Sequence, residues 1–278
     1  MTIVRALGAL PVGLMFASAV GAMPSSLGAQ TDYFNTDRNR PVRIEDAHAT
    51  ERYALEVKLA PVRLERGDGG VYSWSIDPEL AYGILPRTNL EVGLPLRFAE
   101  GDGAASGLEG AEISLFHNLN TETRTLPALA VRGDLSLPVG ALGPDRVIPA
   151  VAGIVTRSFG FGRVHVNARY AFADRPESEP GDEPSAGHED SRWLAGLAVD
   201  RPFPLNSVLL IAEVYADQPL PDGADLAWNA GGGFRYQVNP YLAVDAGLGR
   251  RLTGHPSWFI TVGSALHLGV RRLIPGVR

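Results

Sequence analysis

Cysteine is absent from the 278 residues. That excludes a disulfide framework, thiol catalysis and thiolate metal sites, but fixes no compartment, since exported chains often lack cysteine too. Beyond the N-terminus no stretch approaches the roughly 20 apolar residues of a spanning helix, so a bundle of transmembrane helices is excluded. Positive charge is not in excess: 25 Lys and Arg face 31 Asp and Glu, a net charge of −6, which argues against a nucleic-acid partner. Catalytic motifs are missing as well. There is no GxSxG elbow, and the histidines (His48, His117, His165, His188, His255, His267) show no HExxH or other close metal spacing. No cofactor, no metal and no catalytic residue is expected.

The chain does begin with a recognisable leader. Arg5 precedes an apolar run from Ala6 to Val20, and small residues follow, with cleavage expected after Ala22 or Ala29. This reads as a secretory signal peptide over residues 1–29. A polar, irregular segment covers 30–51, and a tail covers 271–278.

Between them, over 52–270, the sequence keeps a two-residue beat. VYSWSIDPELAYGI (71–84) places Tyr72, Trp74, Ile76, Pro78, Leu80, Tyr82 and Ile84 on one face and small or polar residues on the other. Alternation of this kind marks a strand with unlike faces, but soluble strands average about five or six residues. Runs such as Leu90 to Phe98, Leu129 to Leu137, Val164 to Phe172 and Leu242 to Leu248 repeat the beat. We count about 12 strands of roughly 10–14 residues, and no helical period after the leader.

The connections alternate in length. Long, flexible ones such as EGDGAASG, GALGPDR and the acidic stretch 174–191 alternate with tight ones such as LPRTN, FGFG and VNP. The fold class expected is therefore all-β: an up-and-down antiparallel transmembrane β-barrel of about 12 strands, with short turns at the periplasmic rim and longer loops outside. A strand tilted by about 40° needs about 9–11 residues to cross the hydrocarbon layer, which explains the length of the runs. Aromatic residues near strand ends fit girdles at the headgroup level. Pro78 and Pro95 lie within strands and predict kinks or bulges there. The cluster Ala230-Gly231-Gly232-Gly233 predicts a bulge, or room for a bulky lumen neighbour. The loop 174–190 reads as a solvated acidic loop.

The polar beat would face the lumen. The candidate pore lining is Glu56, Lys58, Asp77, Glu79, Glu91, Arg97, Glu112, Arg132, Asp134, Arg163, His165, Asn167, Arg169, Glu213, Arg235, Asp245 and Arg251. Both signs are present, which fits either a narrow polar passage or an interlocked set of salt bridges. The segment 31–51 either enters and narrows the lumen or hangs free as a periplasmic tail.

Several stretches together resemble the exported family named for the MetA pathway of phenol degradation. They are RPVRIEDA (40–47), PELAYGILPRTNLEVGLPL (78–96), NTETRTLPALAVRGDLSLPVG (120–140), TRSFGFGRVHVNARYAF (156–172) and AVDRPFPLNSVLLIAEVYAD (198–217). The resemblance implies an outer-membrane barrel that acts as a transporter; it carries no catalytic residues.

The expected function is an outer-membrane channel or transporter, porin-like, passing small solutes, hydrophobic or aromatic ones included. The alternatives are an outer-membrane lipid hydrolase, for which His117 on the apolar beat is the one position of interest, and a closed structural or surface-binding barrel. The partners expected are outer-membrane lipids and lipopolysaccharide of a Gram-negative bacterium, the barrel-assembly machinery and a small-molecule solute.

Overall fold

The computed structural model describes residues 35–67, 70–100, 105–173, 193–218, 226–254 and 257–269. The expected signal peptide, the acidic loop 174–190 and the tail 271–278 lie outside them.

The described residues form one closed antiparallel sheet of twelve staves built from fifteen segments. The first stave is β1 (Ala54–Arg66). The second is β2 (Tyr72–Ile76) continued by β3 (Glu79–Leu85). The third is β4 (Thr88–Gly93) with β5 (Leu96–Ala99), and the fourth β6 (Gly107–Leu108) with β7 (Ala111–Asn120). Eight unbroken staves follow: β8 (Ala128–Leu137), β9 (Ile148–Phe159), β10 (Gly162–Ala171), β11 (Trp193–Pro202), β12 (Val208–Gln218), β13 (Ala227–Asn239), β14 (Leu242–Arg251) and β15 (Trp258–Gly269). Each stave pairs with its sequence neighbours. β15 closes on β1, in register from Ala54 opposite Gly269 to Arg66 opposite Trp258, with one irregularity between Leu59 and Val62. Closure pairs the long edges of the first and last staves, which would otherwise face lipid unpaired.

Pro78 and Pro95 interrupt their staves, as their missing N–H groups require. The ladder is carried across by their carbonyls. Pro78 O accepts from Leu94 N at 3.0 Å, and Pro95 O accepts from Glu109 N at 2.9 Å. The breaks therefore lie level on adjacent staves.

The barrel is inverted relative to a soluble protein. Leu248 is 68 % exposed, Val262 57 % and Val151 51 %, whereas Arg132, Arg235 and Asp245 are buried. An apolar outside of this extent marks a surface made for lipid. Tyr72, Trp74, Phe98, Tyr170, Phe172 and Trp228 are exposed toward the rim with the longer connections. Phe159, Phe161, Phe203, Tyr236 and Tyr241 are exposed at the opposite rim, where two-residue links at 86–87, 160–161 and 240–241 turn the chain. Tyr82 departs from the expected girdle: it is buried against the neighbouring staves.

Candidate functional site

The lumen is occupied by the chain's own N-terminal segment. Residues 41–51 run around the inner wall as a hoop, meeting the staves in turn from β14 to β3, and the free-tail reading of this segment is corrected accordingly. An extended segment without a strand partner must satisfy its buried amides elsewhere, and here the wall side chains do so. Glu213 on β12 accepts from Arg43 N at 2.8 Å and Ile44 N at 3.0 Å. Asn167 on β10 acts as a strand partner would: Oδ1 accepts from Glu45 N and Nδ2 donates to Glu45 O, both at 2.8 Å. Thr156 Oγ1 on β9 accepts from Ala47 N at 2.9 Å, and Asn118 Nδ2 on β7 donates to Ala47 O at 2.5 Å. Asn89 Oδ1 on β4 accepts from Thr50 N at 3.2 Å.

Small apolar contacts seat the hoop between these bonds. Val42 packs on Leu209 and Ile211, Ile44 on Ala198 and Tyr215, and Ala47 among Phe116, Ala128, Ala130 and Ile154. Pro41 lies so close to β13 and β14 that a Cβ at Gly233 would come within 2.9 Å of its ring, and one at Gly247 within 2.8 Å of its carbonyl oxygen. Within the glycine cluster, Gly233 is thus room for a lumen neighbour, and that neighbour is the hoop.

Residues 35–40 fold back through the middle of the hoop. Thr36 N donates to Asp46 Oδ2 at 3.1 Å and Thr36 O accepts from Asp46 N at 3.0 Å. Ion pairs anchor this limb on opposite sides of the barrel. Arg38 reaches Glu112 at 2.7 Å, Arg40 reaches Asp245 at 2.7 Å and Glu56 at 3.9 Å, and Asp37 meets Arg235 at 2.6 Å and Lys58 at 3.5 Å. Arg235 also donates to Asn35 O. Burial pulls Asp37 upward, but Lys58, Arg235 and Arg40 together hold it well below the usual carboxylate range. Burial pushes Glu45 up to about 7, against the pull of Arg132 and Arg38 and with the help of Glu91 and Asp134.

The remaining candidate lining residues also point inward. Arg132 binds Glu45 at 3.0 Å, Asp134 at 2.8 Å and Glu91; Arg169 reaches Asp134 at 3.2 Å and Lys58 reaches Glu79 at 2.6 Å. Arg163 pairs with Asp200 at 2.6 Å and with Asp46 at 3.4 Å. His165 is fully buried between Thr156 Oγ1 at 2.9 Å and Asp200 at 3.0 Å. Arg97 pairs with Glu109 at 3.4 Å, Asp77 borders the cavity described next, and Arg251 stands opposite Asn229. His117 is bonded to Thr88 Oγ1 at 2.8 Å through Nδ1.

Sequence reasoning passed over Asn89, Asn118, Thr156 and Asp200 as site residues. It also missed the inward apolar contacts. A signal existed for the latter: Leu209 and Ile211 blur the beat of their stave, and β9 is apolar on both faces. These irregularities lie where the hoop docks.

Between limb, hoop and wall lies a slot of about 10 Å³ beside Thr36, Asn89 and Phe116, room for about one water. Toward the rim with the longer connections lies a cavity of about 380 Å³. Arg38, Arg40 and Arg43 form its floor, and charged side chains of β1, the neighbouring staves and β10 form its wall.

No protein-family model matches the chain, and no curated protein matches it by sequence. Among solved structures, an outer membrane channel from Pseudomonas putida F1 is similar at a TM-score of 0.53 and 15 % identity, covering 80 % of this chain and 98 % of that one. The KdgM porin aligns at 0.46 with 11 % identity over 77 % of this chain and 98 % of its own, and the CymD monoaromatic hydrocarbon channel at 0.40 with 11 % identity over 80 % and 90 %. The first likeness is one of fold: a twelve-stave closed barrel of the outer-membrane channel type.

Proposed function

We propose that this chain is an outer-membrane channel for small solutes, exported through its N-terminal leader and narrowed from within by residues 35–51. The observation that carries the reading is the polar cavity of about 380 Å³ held above a hydrogen-bonded hoop, inside a barrel whose outer surface is apolar. The inward charges named above would line the solute's path, and lipid and lipopolysaccharide would contact the outside. The likeness to an outer membrane channel supports the fold that such a role needs. The sequence resemblance to the family named for the MetA pathway of phenol degradation would add aromatic solutes to the range.

A closed barrel is the second reading, and the slot of about 10 Å³ favours it. Planar-bilayer recording of the purified mature protein decides between them. Stepwise currents are expected for the channel, and current that rises when residues 31–50 are deleted would tie the narrowing to the hoop. Silent bilayers with both proteins, alongside detergent gels showing folded barrels, would overturn the channel.

A further inference from the structure

We infer that the cavity above the hoop is a site for small dipolar solutes, molecules that carry a cationic and an anionic group together. The inference rests on the channel reading and deepens it. At about 380 Å³ the cavity falls within the range of small-molecule sites. Among the described residues, seven cationic and six acidic side chains line it. The signs are partly segregated. Arg38, Arg40 and Arg43 lie on the floor, whereas Glu65, Asp77 and Glu109 lie on the wall formed by the first four staves. Leu94 and Leu194 are the large aliphatic side chains among the lining residues.

Most of these charges already have a neighbour of opposite sign. Glu79 lies 2.6 Å from Lys58, Glu65 3.3 Å from Arg63 and Glu109 3.4 Å from Arg97. A solute of one sign is therefore attracted by one member of a pair and repelled by the other, so the field selects neither anions nor cations. An apolar solute can rest on Leu94 and Leu194 but strips water from these charges without replacing it. A dipolar solute meets both members at once. The pairs differ in hydration: Glu65 is 27 % exposed and Arg97 20 %, whereas Glu109 and Lys58 are buried. The Glu65–Arg63 pair comes nearest to a surface pair, worth about 0–1 kcal/mol, so a guest exchanges partners there at least cost.

The test uses the full mature protein, with γ-aminobutyrate as the dipolar probe and erythritol as a neutral polar control of similar size. Swelling of loaded liposomes reads passage, and saturation-transfer NMR on the detergent-solubilised protein reads occupancy whether or not the solute passes. Faster entry of γ-aminobutyrate, by about threefold or more, is expected from exchange worth one exposed pair. A potassium chloride gradient should give a reversal potential near zero. Glu65→Gln combined with Glu109→Gln should lower γ-aminobutyrate entry toward the control rate, leave erythritol unchanged and shift the reversal potential toward anion preference. Equal entry of the two solutes, without γ-aminobutyrate occupancy, would overturn the site and leave the channel standing. Occupancy without passage or current would support the site and overturn the channel. Absence of both would overturn both.

Discussion

Asn167→Ala isolates the bond that holds the middle of the hoop. The wild-type amide donates to one buried main-chain group of Glu45 and accepts from another, both at 2.8 Å. Alanine leaves an N–H and a C=O unpartnered, at about 1–3 kcal/mol each, so docking should weaken by about 2–6 kcal/mol. If the barrel persists, the undocked fraction rises by about 30-fold to about 20,000-fold. The absence of native cysteine makes a clean reporter available. Thr36 is 2 % exposed and its hydroxyl has no hydrogen-bond partner, so Thr36→Cys places a thiol in the folded-back limb at little cost. Maleimide labelling of that thiol should follow the undocked fraction when opening and closing are fast compared with modification. On the far side of the lumen, Gly247→Val should accelerate labelling by a steric route, because its Cβ would press on Pro41. Labelling rates within about twofold of the Thr36→Cys parent in both variants would refute the claim that wall side chains hold the hoop in place.

Two further outcomes are expected. Glu45 is raised from 4.5 to about 7 by burial, so the docked hoop holds this proton more tightly than the free one. Its contribution to docking is present below about pH 4.5 and is lost as pH rises through 7, by about 3 kcal/mol at most. Labelling of Thr36→Cys should therefore be faster at pH 8 than at pH 5.5, and Glu45→Gln should flatten the profile. Asp37 and Asp46, both held low, act in the opposite direction, in more acidic solution. On the outer face, Leu248→Arg should cost about 2–4 kcal/mol if the site lies at bilayer depth. The yield of heat-modifiable barrel reports this, and unchanged yield and melting would argue that the face does not meet lipid.

The barrel was legible because its staves obey one rule, alternation, over lengths that only a bilayer explains. Even its interruptions could be read, since Pro78 and Pro95 lack the N–H that a ladder needs. The inward charges followed from the same parity. What could not be read was the hoop. Residues 41–51 have no period, and their backbone is satisfied by side chains scattered over five staves, from Asn89 to Glu213. No local pattern encodes bonds between positions 39 to 170 residues apart. Only their footprint shows in the sequence, as apolar residues on a face that should be polar and glycines where a side chain would collide.

The position of the seam gives that footprint a consequence for biogenesis. Arg40 grips Glu56 on the first stave and Asp245 on the penultimate one, while Thr261 of the last stave reaches Pro41 O at 3.4 Å. The segment that precedes the first stave is thus stitched to the last two. Contacts of one short stretch with both ends of the sheet draw the first and last staves together, so docking of the stretch favours closure of the wall, and the molecule carries its own mandrel.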